Sequence, residues 1–208
     1  MLDRHRVVSR SAVSMANQFA IHSVGESLRR YLESSYPESL RTANSCNFRL
    51  VSSGEINDPS SFGTSLSLYL YRVTMNEHLR NMPRTYDPSD AQAPLAVDLH
   101  YLMTVWANNA LAEQTILSWA MRELYRHPIL DKSSLSSEAD WNAADIVQLI
   151  PAELSNEDIM RIWDALNPPY HLSVSYIARV VRIDMDAFES SRVVVANKFS
   201  YMDREVPA

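Results

Sequence analysis

The chain has only three glycines in 208 residues, Gly25, Gly54 and Gly63. A phosphate-cradling loop or a dinucleotide fingerprint needs two or three glycines within about six residues, so that backbone N–H groups can approach the phosphates. The nearest pair here stands nine positions apart, so the sequence offers neither kind of nucleotide site. Cysteine is scarcer still. Cys46 alone excludes a disulfide framework within the chain and a thiolate zinc site, and it fits a reducing compartment. No run approaches the ~18–20 apolar residues of a membrane span. The opening Met-Leu-Asp-Arg-His-Arg is not followed by an apolar stretch of signal-peptide length. Positive charge is in short supply as well: 19 Lys and Arg against 25 Asp and Glu leave a formal charge of −6. A surface that neutralises phosphates needs clustered cations, so a nucleic-acid partner is not expected. These absences predict a protein made in the cytoplasm, with no cofactor and no direct membrane insertion.

What is present is ordinary for a globular protein: 46% hydrophobic and 21% charged residues. A chain of this length buries roughly 70% of its unfolded surface in one domain. The organisation predicted is a flexible basic arm over residues 1–15, a single α+β domain over 16–200 and a short tail over 201–208. Arg4, Arg6 and Arg10 face a single Asp3 in the arm.

The clearest local signal is Pro94-Leu-Ala-Val-Asp-Leu-His-Tyr-Leu-Met-Thr-Val-Trp106. Its odd positions from Leu95 to Val105 are all apolar, the period-two alternation of a strand with one side on a core. Asn108-Asn109 then stops the strand and caps a helix over Leu111–Arg126. In that helix Leu117, Ala120, Met121, Leu124 and Tyr125 predict the buried stripe, with Trp119 off its centre. A first helix over residues 17–35 carries Ile21, Val24, Leu28 and Leu32 at helical spacing and ends at Tyr36-Pro37. Gly25 in its middle marks close packing against a sheet. Further strands are predicted at Phe48–Ser52, Ser65–Thr74, Ile146–Ile150, Leu172–Val180 and Arg192–Phe199. In the second of these, Leu66, Leu68 and Leu70 form one face and Tyr69, Tyr71 and Val73 the other, which predicts a central strand covered on both sides. Ser53–Thr64 reads as loop, and residues 131–142 as irregular. Ser155, with Asp158 three residues on, opens a helix that carries Ile159, Ile162, Trp163 and Leu166 and stops at Asn167-Pro168-Pro169. The sum is a mixed, mostly antiparallel sheet with three main helices packed on it. The proline-punctuated connection Asn76–Ala93 is long for a compact domain and is the predicted contact loop.

Chemistry has few places to reside. No two of the six histidines stand at i, i+3 or i+4, so no helical metal pair exists. Asp98 and His100 share a strand face and could orient an imidazole in a hydrolase, but no Gly-x-Ser-x-Gly elbow supplies a nucleophile. A solvated sheet face or subunit contact is the preferred reading of that pair. Cys46 reads as a small buried residue. Glu153, Glu157 and Asp158 read as helix-start electrostatics.

Several segments taken in order resemble a known family. They are Leu70-Tyr-Arg-Val73, Asn76-Glu-His-Leu-Arg-Asn81, Pro94 to Leu102, Ala120-Met-Arg-Glu-Leu-Tyr-Arg-His-Pro128, Leu154 to Asp158, Ile162-Trp163 and Leu172 to Tyr176. The set is similar to the N-terminal domain of cap, or tail-terminator, proteins from extracellular phage-tail-like contractile injection systems of the antifeeding-prophage type. The resemblance implies a non-enzymatic structural part with a fold similar to phage tail terminators. It implies a homohexameric ring on the distal end of the inner tube and sheath, which ends polymerisation and anchors the sheath in the assembled particle. Contact elements under that reading are Arg4, Arg6, Arg10, Asn76, Glu77, His78, Arg80 and Asn81. Two other readings compete: a monomeric adaptor or assembly chaperone for tail components, and a small hydrolase built on Asp98 and His100.

Overall fold

The computed structural model of the protein describes residues 16–77 and 95–183. The first helix, α1, spans Ala20–Ser35, and a short α2 (Glu38–Ala43) leads into strand β1 (Asn47–Val51). A one-turn α3 (Ser53–Ile56) precedes β2 (Ser65–Met75), which is followed by β3 (Leu95–Trp106). The long α4 (Ala110–Arg126) is followed by β4 (Ile129–Leu130), β5 (Val147–Ala152), α5 (Asn156–Asp164) and β6 (Ser173–Ile183). The six strands form one sheet in the order β1-β2-β3-β6-β5-β4. Only β1 and β2 run parallel; the other four pairings are antiparallel. This is the predicted α+β class, with α1, α4 and α5 as the main helices. The basic arm and the strand expected at Arg192–Phe199 lie outside the described residues.

β3 is the centre of the sheet because its alternation serves two cores. Its odd residues Leu99, Tyr101, Met103 and Val105 are buried against α1 and α4, together with Leu66 and Leu68 of β2. The even residues Leu102 and Trp106 belong to a second core on the opposite face, with Ile56, Phe62 and Trp163. A strand covered on both faces tolerates no polar residue without a partner. Thr104, the polar residue between them, accordingly shares a hydrogen bond of 2.8 Å with Ser173 across the strand pair.

Two predictions about faces need correcting. β2 is covered on both sides only in its first half, and it lies second from the sheet edge. Val73 does not share a face with Tyr69 and Tyr71. A bulge between Leu70 and Arg72 inserts one residue, which reverses the alternation and pairs Val73 with Leu99 on the main-core side. In α4 the buried residues are Ala112, Ile116, Leu117, Trp119, Ala120 and Leu124, while Met121 and Tyr125 are exposed. The helix is rotated from the predicted stripe because Trp119 packs edge-on against Tyr36 and Phe48, at centroid distances of 4.8 and 5.9 Å. A ring that large dominates the choice of buried face.

Two segments read as loop or irregular are ordered by short polar signals. Ser52 and Glu55 form a complete capping box for α3, inside the stretch read as loop. Residues 131–142 are held to α1 by buried hydroxyls: Trp141 Nε1 donates to Ser23 Oγ (2.8 Å), and the Ser136 amide donates to Ser27 Oγ (2.7 Å). The predicted cap of α5 is present, with Asp158 N donating to Ser155 Oγ at 3.1 Å. The Asp158 carboxylate returns to the Ser155 hydroxyl, at 2.7 Å, instead of to the backbone.

Candidate functional surfaces

Past the second core, the even face of β3 turns polar. Arg72 and Thr74 of β2 stand opposite His100 and Asp98, and Arg179 reaches in from β6. Asp98 is nearly buried, and both of its oxygens accept from Asn76 Nδ2, at 3.0 and 3.2 Å. Arg179 Nε stands 3.6 Å from the carboxylate. Asn76, at 2% exposure, is also tied through its amide to the Ala96 carbonyl at 2.9 Å. Its side chain is therefore an anchor for the point where the chain leaves β2, and Glu77 beside it is exposed. His78, Arg80 and Asn81, with Arg4, Arg6 and Arg10, lie outside the described residues.

Among the described residues no hydrolytic triad is built at this position. Asp98 is engaged by Asn76 and Arg179 and makes no hydrogen bond to His100. The His100 Nε2 shares its bond with Thr74 Oγ1 at 3.0 Å, so a hydroxyl is near the ring but no carboxylate orients it. Burial, followed by the charge of Arg72, pushes His100 below the ordinary imidazole range. Cys46 is buried, and burial pushes its thiol up to about 12, far from a reactive thiolate. No cluster of three or more metal-ligating side chains occurs among the described residues. None of their helices is long and apolar enough to cross a membrane.

These groups give stability a definite pH dependence. Burial lowers both His100 and His171, so the fold prefers them neutral. Glu26 is lowered to about 2, first by the hydrogen bond from Arg29 and then by that from Arg30, against an opposing desolvation. All three are depressed, so each contributes stability at high pH that is lost on acidification. The histidine part is lost as pH falls below their ordinary 6.5, and the Glu26 part between about 4.5 and 2. Urea midpoints should therefore fall between pH 7.5 and pH 5, and His100→Gln should flatten part of that slope. Equal midpoints across this range would show that the imidazoles are not held neutral by the fold.

The two helices covering opposite faces of the sheet present outer surfaces of opposite charge. On α4 the exposed side is Leu111, Met121, Arg122, Tyr125 and Arg126, with Leu111 and Tyr125 exposed by 75% and 81%. A shallow cleft of about 410 Å³ between α2 and α4, lined by Leu40, Leu111, Trp119 and Arg122 among others, continues this surface. On α5 the outer side is Glu157, Met160, Arg161 and Asp164, acidic on balance with Asp158 beside them, and Tyr170 next to it is stacked edge-on to Trp163 at 6.1 Å. Sequence reading missed both surfaces. The signal was available in Arg122 and Arg126, four apart on α4, and in two carboxylates that flank Met160 at helical spacing.

A sheet with helices on both faces, polar groups already engaged and two exposed charged apolar surfaces together define an α+β module. The fold is similar to a solved structure, the PVC sheath/tube terminator, in its extended state, of an extracellular contractile injection system. That match has a TM-score of 0.54 and 17% identity, and covers 93% of this chain and 65% of that one. It is also similar to the tube-terminating cap of the anti-feeding prophage, with a TM-score of 0.50, 17% identity and coverage of 86% and 59%. The chain thus spans about three fifths of the length of those two proteins. The chain belongs to the Pvc16 N-terminal domain family, whose model matches residues 23–196. No curated protein matches it significantly.

Proposed function

We propose that this protein is the structural, non-enzymatic cap of a contractile injection system. It forms a homohexameric ring on the distal end of the inner tube and sheath, ends their polymerisation and anchors the sheath. The observation that carries this reading is the family match over 23–196, joined to the fold shared with a sheath/tube terminator and a tube-terminating cap. A ring of identical subunits needs heterologous contacts that close, and a terminator needs one further face each for tube and sheath. Glu77, His78, Arg80 and Asn81 are the proposed loop contacts, with Asn76 as their anchor, and Arg4, Arg6 and Arg10 the proposed contacts of the arm.

Light scattering on a sizing column, with the protein alone and mixed with its tube protein, tests the reading. The expected species has six times the 23.7 kDa subunit mass. A monomer indifferent to the tube protein would overturn the ring and favour an adaptor. Asp98→Asn/His100→Gln should leave the assembly intact, because asparagine keeps an acceptor for Asn76 and neither change needs a reacting group. Alanine at 98 is a poorer test, since it removes the acceptor of the Asn76 Nδ2 and the partner of the Arg179 charge and leaves a gap beside them. Loss of assembly in the well-folded Asn/Gln variant would return that pair to a functional role.

A further inference from the structure

We propose that the outer face of α4 binds the outer face of α5 on a second copy of this chain, in a head-to-tail contact. The inference rests on the cap reading and adds to it the surfaces through which subunits join.

The argument is one of charge and exposure. α4 and α5 cover opposite faces of one sheet, since the first packs on Leu99 to Val105 and the second on Leu102 and Trp106. The α4 face carries Arg122 and Arg126 with no exposed carboxylate on the same helix; Glu123 is only 14% exposed and accepts from Tyr31 at 2.8 Å. Neither arginine forms an ion pair among the described residues. The α5 face carries Glu157, Asp158 and Asp164 around Met160 against the single Arg161, which pairs with Glu157, so its balance is negative. Each face also exposes large apolar groups: Leu111, Met121 and Tyr125 on one, Met160 and Tyr170 on the other. Solitary surface apolar residues need no explanation, but apolar groups gathered on one face and rimmed by polar and charged residues mark an interaction surface. The two faces are opposite in net charge, and two copies of either face would repel. A contact between unlike patches leaves one of each free on every pair, so it propagates and can close into a ring.

The test uses charge reversal and its repair, read by light scattering with and without tube protein. Arg122→Glu/Arg126→Glu and, separately, Glu157→Arg/Asp164→Arg should each lose the high-mass species by tenfold or more. All four positions are exposed, so thermal unfolding should stay near wild type and confirm that both variants fold. An equimolar mixture of the two variants should regain the species, because every α4 face again meets an α5 face of opposite sign. Variants that assemble like wild type, or a mixture that stays dissociated, overturn the interface while leaving the ring reading intact. Variants that self-assemble yet no longer bind tube protein overturn it too, and assign the faces to the tube. A wild-type protein that stays monomeric in both settings overturns the cap reading, and this contact with it.

Discussion

Replacing Trp106 with alanine should lower stability by about 3–5 kcal/mol, the usual cost of emptying a large aromatic site. For a domain of this size each kcal/mol moves the thermal midpoint by roughly 2–4 °C, so a fall of roughly 6–20 °C is expected. The reason lies in what the indole joins. Trp106 ends β3, and its ring meets Phe62 at 5.3 Å, Trp163 at 6.0 Å and His171 at 4.4 Å. Its Nε1 donates to Ser67 Oγ at 2.8 Å, a buried hydroxyl on the neighbouring strand. The second core is small, so no neighbouring mass is available to collapse into the vacated volume. The loss should be local in its consequence. α5, held chiefly through Trp163, should become protease-sensitive before the main core opens, and the acidic face it carries should be lost with it. Thermal unfolding with limited proteolysis measures both parts. A variant that melts within a degree or two of wild type would show that the second core contributes little to holding α5.

The parts of this fold legible in the sequence are those where one periodicity dominates. β3 announces itself because six alternate apolar residues leave no other period, and α1 because Val24, Leu28 and Leu32 all fall on its buried side. The misreadings share a physical cause. A bulge is one extra residue with no composition of its own, so the reversal that turns Val73 to the main-core side of the sheet is set by pairing with β3 and not by β2 itself. In α4 two stripes of similar hydrophobicity compete, and Tyr36 and Phe48, distant in sequence, decide for the one bearing Trp119. The strand β4 is two residues long and exists only as a partner for β5. By contrast the α3 capping box was written plainly in Ser52 and Glu55 and could have been read.

The functional surfaces divide in the same way. The ordered set of weak motifs located the family because those motifs define the fold: Leu70 to Val73 and Leu95 to Leu102 lie in paired strands, and Ile162-Trp163 closes the second core. Fold-defining residues are buried, so they say little about interfaces. That Asp98 serves Asn76 and Arg179 instead of His100 depends on the register of three strands and on a bulge in the β3–β6 pairing, which spacing along one strand cannot give.

Gly25→Val should destabilise the protein by about 3 kcal/mol, the upper part of the usual range for overpacking, whereas Gly25→Ala should change it far less. Gly25 is buried on the sheet side of α1. A Cβ there would stand 2.8 and 2.9 Å from the two methyls of Leu50 and 3.1 Å from the Tyr101 hydroxyl. Leu50 is half-buried on β1 and its methyls end a flexible side chain, so it can rotate away from one added carbon. The helix gains about 1 kcal/mol from alanine over glycine, which offsets the crowding. Tyr101 cannot give in the same way: it is fully buried at the centre of β3, with its hydroxyl directed at the Ile21 carbonyl at 3.4 Å. The two branches of valine leave no rotamer that avoids both neighbours, so α1 must lift from the sheet. Lifting α1 also separates Ser23 and Ser27 from Trp141 and Ser136, so the segment 131–142 should loosen with it. Urea unfolding of the two variants, with hydrogen exchange at the Ser136 amide, separates these effects. A valine variant as stable as the alanine one would mean that α1 does not pack this closely on β1 and β3.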